Sequence, residues 1–131
     1  MTIKIILLDK EAKKYEKYIK KQAKKLVKFL AKKGEIEVYL INGKRMRQLN
    51  RRFRGKDRST NVLSFQKPKN FPGSKLGEVY LDPNYIKRHK ESVDLMLVHG
   101  VLHILGYDHK KKDDRIKMEK KEARILKGIF N

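Results

Sequence analysis

Cysteine is absent from the 131 residues, which excludes disulfides and any thiolate metal site. No stretch reaches the roughly 18 uncharged apolar residues that a membrane span requires. The opening run Ile3-Lys4-Ile5-Ile6-Leu7-Leu8-Asp9 is broken too early for a signal peptide and reads as a first strand. The cytoplasm is therefore the expected compartment. Repeats and linkers are also missing, so a chain of this length, 39% apolar, suits one domain spanning 1–131. Acidic residues are scarce, with 15 Asp and Glu against 35 Lys and Arg, for a net charge of +20. Such a field attracts polyanions, of which RNA is the commonest in the cytoplasm. A lysine-heavy, glutamine-poor composition also accompanies adaptation to heat, so the charge has two readings.

What is present reads as strand, helix, strand, helix, two strands, then helices. Residues 2–8 form the first strand, and Asp9 is placed to cap a helix. The helix is predicted over 11–33, because Ala12, Tyr15, Ile19, Ala23, Leu26 and Leu30 recur at helical spacing, with Gly34 as its stop. Its other face carries Lys13, Lys17, Lys20, Lys21, Lys24 and Lys28, either a phosphate-tracking stripe or a solvated surface. Residues 35–41 alternate as a second strand. A short basic helix is predicted over 43–53 with Met46, Leu49 and Phe53 inward, then a polar loop over 54–60. Strands follow at 61–65 and 76–81, separated by an irregular connection at Pro68, Pro72 and Gly73. Pro83 opens a helical region that includes the apolar segment Val93 to Leu105. A last helix, 111–129, is expected to bury Ile116, Ala123, Ile125 and Leu126. The fold class is α+β, a small mixed four-stranded sheet packed with helices.

Three of the four histidines lie in His99-Gly100-Val101-Leu102-His103-Ile104-Leu105-Gly106-Tyr107-Asp108-His109. Residues four apart on a helix share a face, so His99 and His103 can reach one ion, each nitrogen at about 2.0–2.1 Å. Gly106 permits the left-handed turn that ends the helix and returns His109 as a third ligand. Buried imidazoles without partners are costly, which argues against two histidines interrupting an apolar helix for no purpose. Three imidazoles suit zinc, one ion per chain, with nickel, copper and iron as substitutes in vitro. Three protein ligands leave a position for water, the mark of a catalytic rather than a structural site. His89, among charged neighbours, reads as a surface residue.

The spacing matches the H-E-x-x-H-x-x-G-x-x-H pattern of metzincin proteases except at Gly100, where those enzymes carry the glutamate general base. The ligands are protease-like and the chemistry must differ. The block H-G-x-L-H-x-x-G-Y-D-H, met in full by residues 99–109, resembles the YbeY family of bacterial rRNA maturation endoribonucleases. Three further blocks carry the resemblance: Leu49-Asn50-Arg51-Arg52-Phe53-Arg54-Gly55-Lys56-Asp57, Ser59-Thr60-Asn61-Val62-Leu63-Ser64-Phe65, and Leu76-Gly77-Glu78. Asn61 and Glu78 stand where many members have aspartate. The resemblance implies a zinc-dependent single-strand endoribonuclease acting on the 16S rRNA precursor and the small ribosomal subunit, in rRNA maturation and ribosome quality control. It implies His99, His103 and His109 as zinc ligands and Arg54 as a functional arginine. A guanidinium is in any case suited to phosphate. Asp108 could orient a ligating histidine or cap the next segment, and Ser64 could bond substrate or close a strand end. The competing readings are a non-catalytic ribosome-assembly factor that binds RNA, and a metallopeptidase, which Gly100 disfavours.

Overall fold

A strand sends alternate side chains to opposite faces, and the apolar residues at every second position of Glu35–Leu40 make Ile36, Val38 and Leu40 fully buried. The computed structural model describes residues 1–130. Its elements are β1 (Thr2–Leu7), a 3₁₀ segment (Lys10–Tyr15), α1 (Glu16–Val27), β2 (Glu35–Leu40), α2 (Gly43–Arg54), β3 (Val62–Gln66), β4 (Lys75–Leu81), α3 (Pro83–Arg88), α4 (Val93–Ile104) and α5 (Lys112–Phe130). The strands order as β1-β2-β4-β3. β2 is parallel to both neighbours and β3 runs antiparallel to β4, so the sheet is mixed, as the pattern of elements predicts.

Helices cover one face of this sheet. α4 is the most buried of them: Leu97, Val98, Val101 and Leu102 are inaccessible and meet Val38, Leu40, Val79 and Leu81 in one core. It begins at Ser92, whose hydroxyl accepts the Leu95 N–H at 3.1 Å. Asp94 in its first turn is buried, and accepts from Tyr18 Oη at 2.8 Å and Gln22 Nε2 at 3.1 Å, which ties α4 to α1. On the other face, α2 packs Met46 against Ile41 and Leu63, beside the rings of Tyr39, Phe65 and Tyr80. Among the described residues no helix is long and apolar enough to cross a membrane.

The helix expected over 11–33 is divided and shorter. Its first turn is 3₁₀, α1 ends at Val27, and the last bonds tighten to Phe29 N–H with Leu26 O and Leu30 N–H with Val27 O. Packing explains the early end: the Phe29 ring lies directly on Gly128 of α5, so close that a Cβ there would be 2.0 Å from its Cζ. Asp9 makes no capping bond. Its carboxylate accepts instead from the Asn42 N–H at 3.0 Å and from Arg45 Nε at 2.9 Å. The buried side of α5 is Met118, Glu122, Ile125 and Ile129, whereas Ile116 and Ala123 face outward. Phe53, expected inward on α2, is 50% exposed. The lysines at 13, 17, 20, 21, 24 and 28 are all exposed.

Candidate metal centre and cleft

α4 carries two half-buried imidazoles out of the core at its C-terminal end. His99 and His103 are one turn apart, with ring centroids 4.6 Å apart and their Nε2 atoms at 3.1 Å. The helix closes at Gly106, whose φ of +100° only glycine adopts readily. The Gly106 N–H donates to His103 O at 3.1 Å and the Tyr107 N–H to Leu102 O at 3.0 Å, the paired bonds of a left-handed helix end. The chain then turns again at Asp108, whose Oδ1 accepts the N–H groups of His109 at 2.6 Å and Lys110 at 3.1 Å. Asp108 therefore caps backbone, and the turn it makes brings the His109 ring to 4.9 Å from His103 and 5.6 Å from His99. One nitrogen from each of the three rings lies within 4.8 Å of the others. Convergence of this kind suits a single ion.

Glu122 completes the centre from α5. Its Oε2 accepts from His99 Nδ1 at 2.7 Å, with its side chain only 10% exposed. A proton held on Nδ1 leaves the Nε2 lone pair directed at the other two rings, and such carboxylate support raises the basicity of a ligating imidazole. Burial, and behind it the charges of His99 and His109, lower the pKa of His103, which keeps that ring neutral and able to donate its lone pair. The donor set thus fits a divalent ion by chemistry as well as by spacing. Sequence patterning does not single out Glu122. The available signal is register: Glu122 falls at helical spacing with Met118, Ile125 and Ile129, and among the described residues it is the buried charge of α5. Glu122→Gln, which keeps the shape and removes the charge, is expected to weaken metal binding by roughly 10–100-fold. Competition against a chromophoric chelator measures it, and unchanged affinity would remove Glu122 from the centre.

The histidines open into a cleft of about 730 Å³, also lined by Arg54, Ser64 and Gln66. Arg54 is the last residue of α2 rather than part of the loop expected over 54–60. Its Nη2 donates to Ser64 O at 3.1 Å and its guanidinium lies 4.9 Å over the Phe65 ring. Ser64 Oγ donates to Gly100 O at 3.1 Å and Gln66 Nε2 to Ile104 O at 2.9 Å, so β3 is fastened along α4. His89 is exposed and stacks on Tyr85, remote in role from the cleft.

Gly100 faces the sheet. A Cβ there would lie 2.6 Å from Val79 Cγ1, 3.2 Å from Val62 Cγ2 and 3.3 Å from Ser64 Oγ. The absence of the protease glutamate follows from this close approach, because α4 lies flush on β3 and β4. Gly100→Ala should lose stability, about 1–3 kcal/mol from overpacking, only partly offset by the roughly 1 kcal/mol that alanine gains in a helix. A denaturant melt at unchanged m-value reads the effect, and a mutant as stable as the wild type would mean that the sheet yields.

The chain is similar to known proteins in sequence and fold. The family model described as Endoribonuclease YbeY matches residues 4–129. The endoribonuclease YbeY of Anaplasma marginale (strain Florida) is 36% identical over 129 residues, covering 86% of this chain and 84% of its own. That of Helicobacter pylori (strain G27) is 40% identical over 115 residues, covering 82% and 78%. The solution structure of TM1509 from Thermotoga maritima is similar across 98% of this chain and 89% of that one, with a TM-score of 0.61 and 25% identity.

Proposed function

The chain belongs to the YbeY family of endoribonucleases, and on that premise we propose that it is a zinc-dependent hydrolase of single-stranded RNA, acting on the 16S rRNA precursor of the small ribosomal subunit in rRNA maturation and ribosome quality control. The observation that carries the reading is the convergence of three histidine nitrogens at one end of a cleft whose rim holds Arg54. His99, His103 and His109 would hold the ion, and an all-imidazole set favours zinc. When bound, the ion supplies Lewis acidity to water and to phosphoryl oxygen.

The remaining work falls to the chain. Glu122 holds the His99 proton at Nδ1 and so fixes which nitrogen faces the ion. Arg54 spends one N–H on Ser64 O and rests on Phe65, which leaves its other donors aimed by a fixed stem. Those donors suit two oxygens of one phosphate. The charge would then sit beside the phosphoryl oxygens that carry the negative charge in the transition state. The overall charge of +20 draws the strand in from a distance. Peptide cleavage needs a carboxylate beside the ion to shuttle a proton to the leaving amine, and the side of α4 at position 100 is filled by the sheet.

The test is a nuclease-free preparation of the chain on precursor rRNA and on short single strands, beside His103→Ala. Metal-dependent cuts by the wild type, absent from the mutant, support the reading. Tight RNA binding with no cleavage would instead make the protein an assembly factor, and chelator-sensitive proteolysis lost with His103→Ala would make it a peptidase.

A further inference from the structure

α2 rises out of the protein as it approaches the cleft. Met46 is fully buried, Leu49 partly, and Phe53 half exposed. The Phe53 ring meets the edge of Phe65 at 5.2 Å and 63°, and Phe65 meets Tyr80 at 5.9 Å and 74°, so the rings form a continuous run on the face of the sheet opposite α4. Two guanidinium groups lie over this run, Arg52 at 5.2 Å from the Phe53 ring and Arg54 at 4.9 Å from Phe65. Arg54, which lies over Phe65, also lines the histidine cleft and so links the run to it. An exposed aromatic ring next in sequence to an arginine that lines the cleft, and packed on the ring that this arginine covers, differs from a scattered exposed leucine. Aromatic rings beside fixed cations are the means by which proteins hold single-stranded nucleic acid: each ring takes a base and the cations track the backbone.

We propose that Phe53 is a base-stacking platform for single-stranded RNA, holding a nucleotide next to the phosphate at Arg54. The inference rests on the RNA reading above and adds to it a surface and a selectivity. A duplex keeps its bases stacked on one another and offers no free base face to Phe53, so the platform favours unpaired segments. Arg51, Arg52, Arg54, Lys56 and Arg58 flank Phe53 along the chain, Arg52 lying over its ring, and the one acid among them, Asp57, is paired with Arg47 at 2.8 Å. The local charge therefore suits a polyanion rather than a basic protein.

The metal-loaded full chain is titrated against single-stranded RNA carrying 2-aminopurine at successive positions. The wild type should quench the probe at one or two adjacent positions. Phe53→Leu keeps apolar bulk but loses the π face. It should abolish the quench and weaken single-strand binding by roughly five- to a hundredfold, the range for one stacked base. Phe53→Trp should restore both. Because no phosphate contact is lost, the salt dependence of binding by the leucine variant should keep the wild-type slope, and its binding to a blunt duplex should be unchanged. Leucine-variant binding equal to wild type, or an equal loss on single strand and duplex, overturns the platform. If the wild type quenches but never cuts, the hydrolase reading fails and the platform stands. If the wild type cuts and the leucine variant cuts with the same KM, the platform fails and the hydrolase reading stands.

Discussion

His103→Ala protein is expected to leave purification with little bound metal, whereas the wild-type chain is expected to carry about one zinc ion. His103 is the middle of the three rings, since it is nearer to both partners than they are to each other, at 4.6 and 4.9 Å against 5.6 Å. Its removal leaves His99 on a rigid helix and His109 on an exposed turn. Binding would then have to order that turn with two ligands in place of three. The loss should exceed the roughly 10–100-fold expected when only an orienting partner such as Glu122 is altered. Elemental analysis of both proteins decides it, and full zinc content in the mutant would show that His103 is no ligand. RNA cleavage should fall to background in the same preparation. Acid should act in the same direction on the wild type, because ligation needs neutral imidazoles. Burial holds the folded pKa of His103 below its usual 6.5. As the pH falls through that value the unfolded chain takes up the proton first, so stability declines together with metal content.

Arg54→Ala should fold and bind zinc as the wild type does, while RNA hydrolysis drops by a factor of roughly 100–1,000, the range for loss of one donor to a developing anion. The side chain is exposed and its polar partner is the carbonyl of Ser64, which can turn to water. Little stability is therefore at stake, and a melt beside the assay separates folding from chemistry. Arg54→Lys should recover only a small part of the rate, because an ammonium cannot use two parallel N–H groups on one phosphate. It also loses the planar contact with Phe65 that aims the group. An alanine variant with wild-type rate on single-stranded RNA would leave Arg54 as one surface cation among many.

The boundaries of α2, α5 and all four strands follow closely from periodicity and punctuation, because alternation and helical spacing act within a few residues. The helix near the start departs from its pattern for a tertiary reason. Nothing local ends α1 at Val27, and the Phe29–Gly128 contact joins residues 99 positions apart. The same distance hides Glu122, which reads as one more charge on an exposed helix until α5 is laid against α4.

The sequence by itself determined the convergence of the three histidines. His99, His103, Gly106 and His109 lie within one helix turn and its exit, where backbone geometry alone makes the rings converge. Composition likewise determined the sign of the overall field, since no fold changes a net charge of +20. Only the tertiary structure decided the strand order, the support of His99 by Glu122, the pinning of Arg54 between Ser64 and Phe65, and the contact that forbids a side chain at position 100. Each of these joins residues from different elements. Their positions depend on how a sheet and five helices share one volume, and spacing along the chain does not encode that packing.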